Sequence, residues 1–112
     1  MADTFGTATA EIAATATDII SDTITGSATT IVLMIKVSNI HSSSSSTVDV
    51  YVYDSSATDT RYLCKGVTIP AGTALSVLSP GEKLVLEDAD ELRAVAGTAS
   101  VLEAVASYLK RT

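Results

Sequence analysis

The chain has 112 residues, enough for one domain with one core, and its apolar content is mostly Ala, Val, Ile and Leu interleaved with Thr and Ser. With no Trp, one Phe and a net charge of −6, it suits thin, closely packed sheets rather than a bulky ligand pocket, and it weighs against phosphate-tracking recognition of nucleic acid. The lone cysteine, Cys64, excludes an intrachain disulfide and any multi-cysteine metal site, and no apolar run approaches the ~18–20 residues of a membrane helix.

Met1 to Gly6 reads as a loose arm with Phe5 its only bulky residue. From Thr7 to Ile20, Thr-x-Thr and Ala-x-Ala alternation favours a strand, although the alanine content leaves a helix open. Ser21 to Ser27 is loop-like around Gly26. Residues 1–28 are therefore expected to form an arm and first strand, and residues 29–112 the main β domain. The start MADTFGTATAEI has no basic residues and no continuous apolar run, so a signal peptide is not expected and a reducing cytoplasm is.

Thr29 to Ile40 is the strongest strand, with Ile31, Leu33, Ile35 and Val37 on one face and Val32, Met34 and Lys36 on the other. Apolar residues on both faces predict a central strand with cover on both sides. His41 and the serines to Ser46 then read as a flexible hairpin tip. Thr47 to Asp54 alternates cleanly, placing Val48, Val50 and Val52 inward and Tyr51 and Tyr53 outward. After a polar turn at Ser55 to Asp59, Thr60 to Ile69 extends again, with Gly66 marking a bulge.

The stretch from Ile69 to Ala96 reads as three short strands separated by two turns. Pro70-Ala71-Gly72 breaks the chain, Thr73 to Leu78 extends it, and Ser79-Pro80-Gly81 turns it back. Lys83 to Glu87 is a further strand, Asp88 to Glu91 a solvated acidic corner, and Leu92 to Val95 extends once more. In the last segment, Val101 to Leu109, helical spacing groups Val101, Leu102, Val105, Tyr108 and Leu109, so local propensity favours a helix. Context favours a strand that closes an open sheet edge. The whole reads as an all-β antiparallel β-sandwich of about seven to eight strands with an extended N-terminal arm.

The chemistry of catalysis is missing from the pattern. His41 sits beside serines in a loop without a partner to orient it, and reads as solvated. Glu87, Asp88, Asp90 and Glu91 lie too close in sequence to suggest a glycosidase pair, and they lack the glycine turn and ligand count of a calcium loop. No catalytic, cofactor-binding or metal-binding residue is expected.

The run IPAGTALSVLSPGEKLVLEDADELRAVAGTASVLEAVASYL, together with the strands at Thr30 to Val37 and Val48 to Tyr53, resembles a family of small β-rich virion structural proteins of tailed bacteriophages. The shared pattern is Ile-Pro-x-Gly at Ile69 to Gly72, the Leu-Val-Leu-Glu strand, the acidic turn, the Leu-Arg strand and an ending near Tyr-Leu, and it spans residues 29 to 110. Glu103-Ala104-Val105-Ala106 departs from the family's alternation of valine with polar residues. The resemblance implies a terminal strand and a non-enzymatic role in a virion assembled in the host cytoplasm. It leaves capsid decoration and the neck, tail or baseplate open; small size and the missing catalytic constellation favour a capsid decoration (cement) protein, expected as a trimer on the major capsid protein, with a neck, tail or baseplate component as the alternative. Phe5, Ile12, Tyr51 and Tyr53 are the candidate contacts, so deleting residues 1–20 is expected to leave a folded domain that does not assemble. A carbohydrate-binding module using the tyrosines is a further alternative, which the lack of Trp disfavours. Neither nucleic acid nor a membrane is an expected partner.

Overall fold

Period-two alternation dominates this sequence, and the computed structural model, which describes residues 3–21, 28–78 and 81–111, contains strands and turns and no helix among those residues. Nine strands occur there: β1 (Asp3–Ile12), β2 (Thr17–Ile20), β3 (Thr29–Asn39), β4 (Ser46–Asp54), β5 (Asp59–Ile69), β6 (Ala74–Ser76), β7 (Leu84–Leu86), β8 (Glu91–Ala96) and β9 (Leu102–Arg111). They form two antiparallel sheets facing each other across one core, the expected sandwich. The first sheet has the order β1, β9, β3, with β6 and β7 both on the far side of β3; the second has the order β2, β8, β4, β5. Met1 and Ala2, most of the loop around Gly26, and Ser79 and Pro80 of the expected turn lie outside the described residues.

The arm is not loose where it is described. Asp3 to Ile12 pair residue by residue with Arg111 to Leu102 in unbroken register. The chain then turns a corner at residues 13–16, where the Ala13 N–H donates to Thr17 Oγ1 (3.0 Å), and enters the second sheet as β2. Ala8, Ile12, Ile19 and Ile20 are all buried in the core, so residues 3–20 are part of the sandwich rather than an appendage.

The expected grouping of the β3 residues fails for a local reason. A bulge between Val32 and Met34 inserts Leu33 as an extra residue against β9. Thr30 and Val32 point inward before it, and Ile35 and Val37 after it, so Ile31 and Leu33 lie on the other face from Ile35 and Val37. Within the chain no second layer covers the outer face of β3, the face for which a partner subunit is the other expected cover, and Leu33 stays 38% exposed.

The serine run is not a hairpin tip, because β3 and β4 belong to different sheets. It is a crossover held by Asn39, which is buried. The Asn39 amide donates to the carbonyls of Ser44 and Ile69 (both 2.9 Å), and its Oδ1 accepts the N–H of His41 (2.9 Å). One side chain thereby ties the passage from β3 to β4 to the end of β5, satisfying polar groups that burial otherwise makes costly. The true hairpin is β4 with β5, and its bulge falls where the glycine predicts. Gly66 takes φ +67 and donates its N–H to Asp49 Oδ1 at 2.7 Å.

The two short strands of the Ile69 to Ala96 stretch do not pair with each other. β6 lies against Lys36 to Ser38 and β7 against Thr30 to Val32, so together they act as one edge strand interrupted opposite the bulge of β3. β8 then crosses to the second sheet between β2 and β4. The final segment is a strand, and an interior one, lying between β1 and β3 rather than closing an edge. Its inward residues Leu102, Ala104 and Ala106 face a core to which β8 contributes Leu92, Ala94 and Ala96. Alanine therefore serves here to let the two sheets approach, which local helix propensity does not register.

Candidate interaction surface

Strand alternation directs half the side chains of each sheet away from the core, and residues directly opposite on neighbouring strands share a face. On the outer face of the first sheet the register therefore sets Phe5 of β1, Leu109 of β9, Ile31 of β3 and Val85 of β7 in one row across four strands. The two ends of the row are the most open, Phe5 at 74% and Val85 at 54% exposed, with Ile31 and Leu109 half-buried between them. Leu33, pushed out by the bulge, and the exposed Val105 widen the apolar surface. Above the row lie Asp3 and Arg111, joined by an ion pair at 3.1 Å. Below it come Thr7 and Ser107, then Thr9, Val105 and Lys36, then Glu11 opposite Glu103. An apolar centre inside a polar and charged border is the anatomy of a protein contact surface.

The outer face of the second sheet is different in kind, because its groups already satisfy one another. Tyr51 and Tyr62 lie opposite across β4 and β5, their rings 5.3 Å apart and tilted by 52°. The Lys65 ammonium sits 4.7 Å from the centre of the Tyr62 ring, and the Arg93 guanidinium 5.2 Å from that of Tyr53. Arg93 also reaches Glu91 at 2.7 Å and Asp18 at 3.0 Å. The hydrogen bond that Arg93 donates to the Glu91 carboxylate is the main reason its pKa is raised. A surface whose charges are paired and whose rings are capped offers less to a partner than an open apolar row.

The four candidate contact residues are thus separated by the fold. Phe5 is open and heads the apolar row. Ile12 is wholly buried, since its place on β1 has the parity of Ala8 rather than that of Phe5, and its side chain is not available to a partner. Tyr51 points outward as expected but is only 8% exposed, covered by its neighbours, while Tyr53 is half-buried beneath Arg93. Residues missed in the sequence are Ile31, Leu33, Val85 and Leu109. They lie in three separate apolar segments, and only the cross-strand register brings them together.

The acidic corner is partly structural rather than wholly solvated. Asp90 is buried, and its carboxylate accepts hydrogen bonds from the Ser55 N–H (3.1 Å), the Ser55 hydroxyl (3.3 Å) and the Glu87 N–H (3.0 Å). It ties the β4–β5 turn to the turn between β7 and β8. In that same hairpin turn, Asp54 is held below the ordinary carboxylate range, first by the Ser56 hydroxyl and then by the Ala57 N–H. His41 Nδ1 accepts the backbone N–H groups of Ser43 and Ser44 (3.1 and 2.9 Å), so the histidine organises its own loop. Cys64 packs against the core, and burial pushes its thiol above the usual pKa, away from the reactive thiolate. Among the described residues no three His, Cys, Asp or Glu side chains gather so as to hold a metal ion.

No protein-family model matches the sequence, and no curated protein does. Among solved structures, the chain is similar to a protein from the work on Bacillus endospore appendages described as a novel family of disulfide-linked pili. The TM-score is 0.53 and the identity 13%, over 99% of this chain and 87% of that one. Two structures of a pentameric capsid protein isolated from metagenomic phage sequences superpose with a TM-score of 0.44 each, at 16% and 17% identity. They cover 94% of this chain and 60% and 64% of theirs. What the likeness to the appendage protein establishes is a shared fold, the two-sheet antiparallel sandwich seen here.

Proposed function

We propose that this chain is a non-enzymatic structural protein of a virion, a capsid decoration protein seated on the major capsid protein through the outer face of its first sheet. The observation that carries this reading is the row of Phe5, Leu109, Ile31 and Val85, an open apolar strip inside a charged border. The resemblance of residues 29 to 110 to virion proteins of tailed phages supplies the kind of partner. Of the contact residues expected from sequence, Phe5 belongs to this surface, whereas Tyr51 and Tyr53 are engaged within the chain. A disulfide to the partner is not expected, since the single cysteine is half-buried against the core.

The test is Val85→Lys, a charge placed at the exposed β7 end of the strip. The isolated domain keeps its stability to within about 0.5 kcal/mol, as exposed substitutions do. Occupancy on purified particles falls to background. Native occupancy by Val85→Lys overturns the reading. Copy number separates the shell from the neck, tail or baseplate. A value on the scale of the capsid subunits supports decoration, and one matching the tail symmetry moves the same surface to the tail.

A further inference from the structure

A sheet edge presents a row of unpaired backbone donors and acceptors, and proteins blunt such edges with short strands, bulges, breaks and basic side chains. Three of the four edges here are blunted in those ways. β2 has four residues and a register shift. β5 has register shifts against β4, the bulged Gly66, and Arg61 and Lys65 along its length. β6 and β7 have three residues each and are separated from one another. The fourth edge, β1, is unguarded. It runs for ten residues in unbroken register with β9, without proline, lysine or arginine. Among the described residues, no backbone hydrogen bond reaches its free side.

We propose that β1 pairs antiparallel with β1 of a second copy across a two-fold axis perpendicular to the sheet, joining two first sheets into one. Three observations name a second copy as the occupant. The chemistry of a bare edge calls for an extended strand. Among the described residues, β1 is the one long edge strand in unbroken register, and so the one fitted to supply it. A two-fold axis also generates the antiparallel sense that every pair in this molecule already has.

Register follows from face and charge. Opposed residues must point to the same side, so the axis passes through Thr7 or Ala8 if most of the strand is to pair. A centre at Thr7 sets Asp3 against the partner's Glu11, like charges directly opposed. A centre at Ala8 sets Thr7 against the partner's Thr9, Gly6 against the partner's Ala10 and Phe5 against the partner's Glu11, with no like charges opposed. The pairing is therefore centred on Ala8. It uses the edge of the sheet and leaves most of the outer apolar face free, so it is independent of the shell-binding role. It also yields a two-fold state in place of the trimer expected from sequence.

The test is sedimentation equilibrium of the purified full chain, the double variant Thr7→Lys/Thr9→Lys, and Val85→Lys. Thr7 and Thr9 are exposed on β1, and in the Ala8-centred pair each introduced lysine faces a lysine of the other copy. The expected result is twice the monomer mass for the unaltered chain and for Val85→Lys. Thr7→Lys/Thr9→Lys is expected to give monomer mass with an unchanged far-ultraviolet circular dichroism spectrum. Amide hydrogens of β1 in the unaltered chain should exchange more slowly as protein concentration rises. A monomer at all concentrations, a trimer or larger closed species, or a dimer that survives Thr7→Lys/Thr9→Lys overturns the proposal. Loss of the dimer in Val85→Lys overturns it too, by moving the contact to the outer face.

Discussion

Single side chains close the two ends of this sandwich. Asn39 at one end and Asp90 at the other are buried polar groups whose hydrogen bonds join segments far apart in sequence. Each works because its polar atoms find partners in the dry interior, where an unmet group costs about 1–3 kcal/mol. Thr30 is the contrasting case. Its side chain is fully buried and Oγ1 meets no hydrogen-bond partner. Valine has nearly the same shape and the same branching at Cβ, so Thr30→Val is expected to stabilise the domain by about 1 kcal/mol. A rise in the urea midpoint at unchanged slope is the readout, and a lower midpoint would show that the hydroxyl is satisfied after all.

Among the elements, β1 departs most from its sequence appearance. Its first residues read as a loose arm, and its inward residues Gly6, Ala8 and Ala10 are thin, yet the strand is paired throughout. Gly6 explains part of this. It lies opposite Tyr108, whose ring occupies the space that a Cβ on Gly6 would take, an aromatic side chain covering a glycine near the sheet edge. Gly6→Val should therefore cost about 1 kcal/mol by forcing the ring away. In a Tyr108→Ala background the same change should stabilise, since only the strand preference of valine remains. A cost of equal size in both backgrounds would remove Tyr108 from the explanation. β9 teaches the converse lesson: its inward alanines and outward Val105 and Leu109 mimic a helix because the outer face is itself apolar.

At the scale of the molecule, β1 and β2 hand the chain from the first sheet to the second and bring three isoleucines into the shared core. Each is worth ~1.5–3 kcal/mol of burial, and the whole domain has only ~5–15 kcal/mol to lose. Deleting residues 1–20 is therefore expected to unfold the domain rather than merely prevent assembly. The circular dichroism spectrum and the loss of a cooperative thermal transition decide this, and a truncated chain that melts cooperatively would restore the arm as a separable part. The same arrangement leaves one sheet with an open apolar face and one unguarded edge, so the proposed shell binding and the proposed self-pairing use different surfaces.

Sequence alone determined the class of this protein. Alternation in Thr47 to Asp54, turn residues at Pro70 and Gly72, and the bulge at Gly66 are local signals, readable because a strand or turn imposes its pattern on neighbouring residues. It also determined that Val48 and Val50 lie inside. The tertiary structure decided which strands adjoin, where Leu33 shifts the register of β3, and why Ile12 is unavailable while Ile31, Val85 and Leu109 align with Phe5. Those facts depend on hydrogen bonds between segments tens of residues apart, and no periodicity within one segment encodes which other segment it will lie beside.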